Sequence, residues 1–187
     1  MKTFLYKFFY TALALSMAVF VYVVNKGITL DVVFGKLGWN SSSVWLKTHI
    51  PAVISFVIYL VLMIGFAFLL RWASRMLIPT DMAEGAVKII EPASDGMMIT
   101  YFGLFFFALS VTNVQALVIT FAILLVCVLI SNVYMFNPIF SLILYRFYYV
   151  TFESGKKCLL LSRENYGYKD EVKFEKLRKL NEFTYID

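Results

Sequence analysis

Fifty consecutive residues of this chain, from Gly96 to Tyr145, contain no Asp, Glu, Lys, Arg or His. Soluble domains do not keep a stretch of this length free of charge. The core of a bilayer does, because an ionised side chain at its centre costs about 2.5–3.5 kcal/mol on insertion scales. The chain is also 61% hydrophobic, against about 45–50% for a soluble globular protein. The sequence therefore predicts a membrane protein.

Four apolar stretches predict four membrane-spanning helices. They cover about residues 5–24, 50–70, 97–114 and 116–136, with an outer loop at 25–49 and an inner loop at 71–96. Each stretch approaches the roughly 20 residues that a helix needs to cross a bilayer. Asn137-Pro138 is expected to end the fourth helix, because proline lacks an N–H donor and disfavours helical geometry before it. Residues 139–145 then form either a tilted helical extension or an interfacial segment.

The first apolar stretch has a second interpretation. The small residues between Ala14 and Ala18 could provide the cleavage site of a secretory signal. The apolar run nevertheless continues to Val24, and the apolar core of a signal has only about 7–15 residues. We therefore expect an uncleaved helix.

The distribution of basic residues predicts the orientation. Of the 17 Lys and Arg residues, only Lys26, Lys36 and Lys47 lie in the outer loop. The others lie at the amino end, in the inner loop and in the tail. Because cytoplasmic loops carry the excess of Lys and Arg, both termini are expected in the cytoplasm.

The polar tail predicts β structure. Residues 147–152 and 157–162 are rich in strand formers and are separated by a Ser154-Gly155-Lys156 turn, which predicts a hairpin. Residues 183–187 predict a last strand, and residues 86–90 of the inner loop could join the same sheet. The predicted fold is an all-α transmembrane four-helix bundle over residues 1–145, with a small cytoplasmic β-rich unit over 146–187.

Residues that carry catalysis are scarce. The chain has one His, two widely separated Cys, and no HExxH, GxxxxGK[ST] or GxGxxG motif. We expect no enzyme activity, no catalytic residues, no cofactor and no metal site. Either Ser94 or Asp95 is predicted to cap the third helix, and an acid there also suits the helix dipole.

Two tryptophans, Trp39 and Trp45, lie in the outer loop on either side of an Asn-Ser-Ser-Ser run. Tryptophan concentrates at membrane–water interfaces, so both are explained as interface anchors. They could also form an exposed aromatic sensor that touches another envelope component. The spans themselves carry no charge, which argues against a coupled transporter.

The segments Glu91–Ser110 (EPASDGMMITYFGLFFFALS) and Tyr149–Ser162 (YVTFESGKKCLLLS) resemble the KwaA family, the membrane subunits of Kiwa-type bacterial anti-phage defence. The resemblance implies a homo-oligomeric, multi-pass protein of the bacterial inner membrane that senses phage attack at the envelope. It also implies a cytoplasmic DNA-binding partner similar to KwaB, held at the inner face.

The sequence and the resemblance leave three candidate functions for this chain. The first is a sensor and scaffold, in which Trp39 and Trp45 sense the envelope and the inner face docks the partner through the charged residues Glu91, Asp95, Lys156, Lys157 and Arg163. The alternative is a pore-forming effector that depolarises the cell, and the third is a structural anchor. Direct nucleic-acid binding by the tail is not expected, because acids interrupt its basic residues.

Overall fold

A computed structural model of the chain describes residues 2–77, 87–131, 133–166 and 177–187. Within those residues the chain forms seven helices and a mixed sheet of five strands. The helices are α1 (Lys2–Asn25), α2 (Leu30–Lys36), α3 (Asn40–His49), α4 (Ala52–Ser74), α5 (Ser94–Ser110), α6 (Val114–Ile130) and α7 (Pro138–Leu142). The strands are β1 (Val87–Pro92), β2 (Arg146–Phe152), β3 (Lys157–Ser162), β4 (Arg178–Lys179) and β5 (Thr184–Ile186).

Two helices among the described residues are long and apolar enough to cross a membrane. They are Thr3–Asn25 within α1 and Ala52–Ser74, which is α4, and each has 23 residues. α5 and α6 are also apolar, but each has 17 residues. A helix of that length rises about 25 Å, which is less than the roughly 30 Å of a hydrocarbon core.

The prediction of an all-α bundle of four spanning helices is therefore wrong. It placed residues 116–136 in a spanning helix and left 139–145 as a helical extension or an interfacial segment, but α6 ends at Ile130 and much of the stretch after it packs in a protein core. Met135, Ile139, Phe140, Ile143 and Tyr145 are each at most 4% exposed and belong to one core with residues of α1, α4 and the sheet. Protein burial excludes unpaired charge as bilayer burial does, so the sequence pattern is the same in both environments.

The predicted outer loop is also largely helical. α2 and α3 pack against each other as a helical hairpin, which the hydroxyl of Ser43 joins by donating to the Asp31 carbonyl oxygen at 2.8 Å. The Phe34 and Trp39 rings meet edge to face at 5.2 Å between centroids. The hairpin lies between the end of α1 and the start of α4, because it connects those two helices.

The strand predictions are confirmed. β2 and β3 form the antiparallel hairpin, and β1 from the inner loop pairs with β2. β5 runs parallel to β3 and antiparallel to β4, which gives the order β1-β2-β3-β5-β4. The sheet thus combines the segment after α4 with the tail of the chain.

The sheet is buried on both faces. One face contributes Phe147, Leu159, Leu161 and Ile186 to the core that contains residues of α1, α4 and α7. The other face forms a separate core, whose strand members include Tyr148, Val150, Phe152, Leu160 and Tyr185. Side chains alternate between the faces of a strand, so the neighbours Phe147 and Tyr148 belong to different cores.

Residues 133–137, which precede α7, belong to no helix or strand, and polar side chains hold them on two sides. We call residues 133–137 the connecting segment. From α1, the Tyr10 hydroxyl donates to the Met135 carbonyl oxygen at 3.1 Å, and Asn137 Nδ2 donates back to the Tyr10 carbonyl oxygen at 3.1 Å. From the tail, Asn181 Nδ2 donates to Val133 O at 2.8 Å, and Met135 N donates to Thr184 Oγ1 at 3.2 Å. A buried backbone outside regular structure requires such partners.

Lys7 extends this arrangement to the end of α6. Its Nζ donates to the carbonyl oxygens of Leu129 and Ser131 at 2.9 and 3.4 Å. The last carbonyls of a helix lack partners within the helix and carry partial negative charge, so a cation there is stabilising. Lys7 is only 9% exposed, which makes it a buried cap contributed by α1.

Asn137 and Leu144 bound the short helix α7. Asn137 caps its start by accepting from Ile139 N at 3.1 Å, and Pro138 occupies the first position, where its missing N–H costs nothing. At the other end Tyr145 N bonds to Phe140 O and Leu144 N bonds to Ser141 O, the Schellman pattern. Leu144 has the left-handed φ of 68° that this motif requires, a conformation that usually selects glycine.

Replacing Lys7 with Met should destabilise the protein by about 1–3 kcal/mol, because the carbonyls of Leu129 and Ser131 would lose a charged, largely buried donor. Thermal unfolding of the purified protein in detergent measures the effect. Lys36→Met is the matched control, since Lys36 is exposed on α2 and should change stability little. Equal shifts for both variants would contradict the capping role.

Candidate functional site

Three of the predicted docking residues lie around the half-buried side chain of Tyr149. Glu91 in β1 lies directly opposite Tyr149 of β2 in the antiparallel register. The ammonium of Lys157, at the start of β3, lies 4.6 Å from the centroid of the Tyr149 ring. Asp95 lies in the first turn of α5, close enough to act electrostatically on the same phenol. We call Glu91, Asp95, Tyr134, Tyr149 and Lys157 the Tyr149 patch.

The environment of Tyr149 combines partial burial with nearby negative charge. Burial raises the pKa of its phenol, and the Asp95 carboxylate adds to the rise. Tyr149 therefore stays protonated at neutral pH and can donate a hydrogen bond. Asp95 is not the helix cap that the sequence predicted, because Ala93 occupies the N-cap position without a side-chain hydrogen bond.

Tyr134 joins the patch from the connecting segment. Its ring meets Tyr149 edge to face at 5.5 Å and Phe183 at 6.1 Å between centroids. Its hydroxyl donates to the Lys157 carbonyl oxygen at 3.3 Å. Sequence reasoning missed Tyr134 and Tyr149. One was counted as part of a spanning helix and the other as a strand former, and no sequence signal pairs them across 15 residues.

The other predicted docking residues lie elsewhere. Lys156 is half-buried in the turn between β2 and β3. Arg163 follows the far end of β3, about 20 Å along the strand from Lys157 at the usual rise per residue. The five residues therefore do not form one surface.

Arg163 contributes to a second arrangement around Tyr145. Its guanidinium carbon lies 5.0 Å from the centroid of the Tyr145 ring, and that of Arg71 in the last turn of α4 lies 5.6 Å away. Burial raises the pKa of the Tyr145 phenol, and the guanidiniums of Arg71 and Arg163 oppose that rise. We call Arg71, Tyr145 and Arg163 the Tyr145 clamp.

The predicted outer sensing residues are both exposed. Trp39 is 58% exposed at the start of α3, and Trp45 is 56% exposed within it. The Trp45 ring stacks on His49 at 4.9 Å. The same hairpin also exposes Val32, Leu37 and Val44, so it presents an apolar surface with aromatic groups in it.

A family model settles what kind of protein this is. The model described as anti-phage protein KwaA matches residues 6–186, nearly the whole chain. The chain belongs to the KwaA family. No curated protein and no solved structure matches it. The predicted resemblance is confirmed, and this KwaA family member is an anti-phage defence protein. Its oligomeric state, its partner and its lack of enzyme activity stay predictions.

Among the described residues, no group of three His, Cys, Asp or Glu side chains could hold a metal ion. The Tyr149 patch has instead the composition of a protein-docking surface. Half-buried aromatic rings lie at its centre, and exposed charges of both signs surround them. Aromatic residues dominate binding energy at protein interfaces, and charged residues at the rim set orientation and specificity.

Gly96 lets the Tyr149 side chain reach the start of α5. A Cβ at this position would lie 2.5 Å from the Tyr149 hydroxyl oxygen and 2.9 Å from Cζ of Phe136. Gly96→Ala should therefore destabilise the protein by about 1–3 kcal/mol, the usual cost of overpacking. Thermal unfolding in detergent measures it.

Gly103→Ala is the matched control in the same helix, because nothing lies within 4 Å of its added Cβ. It should raise stability by up to about 1 kcal/mol through helix propensity. A Gly96→Ala variant as stable as Gly103→Ala would show that Tyr149 does not occupy this position.

Proposed function

We propose that this protein is a membrane-anchored sensor and scaffold of an anti-phage defence system. In this proposal the α2–α3 hairpin responds to disturbance of the envelope. The Tyr149 patch, on the cytoplasmic side of the bacterial inner membrane, docks a soluble DNA-binding effector similar to KwaB. Anti-phage family membership supports the setting, and the geometry below supports the roles.

Membrane insertion is supported by α1 and α4. Many of the large apolar side chains along α4 are exposed, including Val53, Val57, Val61, Leu62 and Leu69. Exposure of such a continuous apolar surface to water is unfavourable for a monomer, whereas its contact with lipid is not. The last turn of α4 contains Arg71 and the exposed Trp72, residue types that concentrate at a membrane–water boundary.

The hairpin and the patch lie at opposite ends of the long helices. Tyr6 and Tyr10, near the start of α1, pack in the core shared with the sheet, as does Leu70 near the end of α4. The α2–α3 hairpin joins the other ends. The 24 residues of α1 rise about 36 Å, enough to separate two membrane faces.

The observation that carries the proposal is the position of Tyr134. It lies in the connecting segment, which α1 holds through Tyr10 and the tail holds through Asn181 and Thr184. It also packs on Tyr149 in the patch. A shift of α1 relative to the sheet would therefore move an aromatic residue of the docking surface, which is the coupling that a sensor needs.

Charge reversal at Glu91 and Asp95 tests docking. The double variant Glu91→Lys/Asp95→Lys should reduce co-purification of the effector at least about tenfold. The new lysines would repel the basic groups on the effector that the two acids attract in this proposal. Glu164→Lys, at an exposed acid beyond β3, is the control and should leave it unchanged. Undiminished co-purification with the double variant would contradict docking at this patch.

Removal of the outer tryptophans tests sensing separately. Trp39→Ala/Trp45→Ala should keep membrane insertion and effector binding but lose most protection in a plaque assay, because the exposed aromatic surface of the hairpin would be gone. Leu37→Ala/Val44→Ala removes exposed apolar groups from the same hairpin and should keep protection. Full protection by the tryptophan variant would contradict the sensing role.

A further inference from the structure

Two arginines share one aromatic ring at the end of α4. Arg71 and Arg163 come from elements far apart in sequence, and both guanidiniums lie over the buried ring of Tyr145. Arg75, one turn beyond Arg71, acts electrostatically on the same phenol. Each cation–π contact is favourable by itself, but like charges gathered at one ring repel one another. The arrangement therefore favours an anion that bridges them.

The described part of the chain supplies no such anion by an ion pair. The ion pair between Lys179 and Glu182 involves neither arginine. Asp187 also acts electrostatically on Tyr145, but its carboxylate accepts from the Ser162 hydroxyl at 3.1 Å and pairs with neither arginine. Arg71 donates to the neutral Ser74 hydroxyl at 3.0 Å, which leaves most of the guanidinium donors available.

Buried hydroxyl groups lie beside these arginines. The hydroxyl of Tyr145 has no hydrogen-bond partner within the described residues, although the residue is only 3% exposed. The Tyr6 hydroxyl borders the same site, but it has the Ser74 side chain as a hydrogen-bonding neighbour. Buried donors without partners are rare, and a bound water, ion or ligand is one explanation for the Tyr145 hydroxyl.

The position of the Tyr145 clamp at the end of the apolar part of α4 identifies the source of the anion. Arg71 directly follows the apolar part of α4, and Trp72 beside it is 60% exposed. Tryptophan at the end of an apolar helix marks the level of the lipid headgroups. Phosphate is the anion at that level, and guanidinium binds it in a bidentate manner.

We propose that the Tyr145 clamp binds the phosphate group of an anionic phospholipid, with Arg71 and Arg163 as bidentate donors and the hydroxyl of Tyr145 as a further donor. This inference rests on the proposed membrane insertion. The headgroup ties the end of α4 to the segment after β3, so the lipid joins the helices to the sheet.

The test uses the full chain, purified in detergent and titrated with fluorescent phosphatidylglycerol. Arg71→Gln/Arg163→Gln should bind the lipid at least about tenfold more weakly than the wild type, since charge-assisted contacts are lost. Lys88→Gln/Arg146→Gln removes two exposed charges from the sheet and should bind as the wild type does. Equal affinity of the clamp variant and the control would overturn the proposal.

A second, conservative double variant keeps the proposal testable if the glutamine variant does not fold. Arg71→Lys/Arg163→Lys keeps both charges but loses bidentate geometry, so it should also bind phosphatidylglycerol more weakly than the wild type. Wild-type affinity in this pair would overturn the bidentate assignment. Tyr145→Phe should weaken binding while keeping the ring, and no loss would remove the hydroxyl from the site.

Inorganic phosphate and phosphatidylcholine discriminate between sources of the phosphate. Weak competition by both supports an anionic lipid, whereas competition by inorganic phosphate equal to that of phosphatidylglycerol would overturn the lipid assignment.

Reconstitution into bilayers separates this inference from the proposed function. A chain that inserts but ignores phosphatidylglycerol overturns only the inference, and a chain that does not insert overturns both.

Discussion

The hydrogen bonds around the connecting segment hold the two halves of the molecule together. This backbone belongs to no helix or strand, and its carbonyls and amides would be costly to bury without partners. α1 supplies Tyr10 on one side, and Asn181 and Thr184 supply the other. Lys7 fixes the end of α6 just before it. The helices and the sheet therefore share one polar junction and do not fold as separate units.

This junction explains why the sheet packs so closely on the helices. Phe147, Leu159 and Leu161 place one face of β2 and β3 against Tyr6, Tyr10 and Ile139. A two-stranded hairpin is marginally stable in water, and here its apolar face is covered by helix ends and extended by β1 and β5. The patch around Tyr149 and the clamp around Tyr145 lie near opposite ends of the same hairpin, so one scaffold positions both.

Most of the correct predictions came from local sequence patterns. The Ser154-Gly155 turn between runs of strand formers predicted the hairpin, and the two apolar runs at residues 5–24 and 50–70 predicted α1 and α4. The family resemblance was likewise visible in the sequence. These features depend on neighbouring residues alone, so reading along the chain can find them.

Contacts between residues far apart in the sequence could not be predicted from such local patterns. Nothing near Lys7 reveals that it caps α6, and nothing near Tyr134 reveals that it meets Tyr149. Met135, Ile139, Phe140, Ile143 and Tyr145 are buried in protein, yet composition alone cannot distinguish protein from lipid as the apolar environment. Arg163 and Lys157 were both predicted to dock the partner, but they lie at opposite ends of β3.

Amide hydrogen exchange in bilayers tests the coupling most directly. Tyr10→Phe removes the hydroxyl that bonds to Met135 and keeps the ring. If the connecting segment joins α1 to the sheet, exchange should rise together in residues 133–137 and in β5, which the Met135–Thr184 bond connects. Faster exchange confined to residues 133–137, with β5 unchanged, would contradict the account.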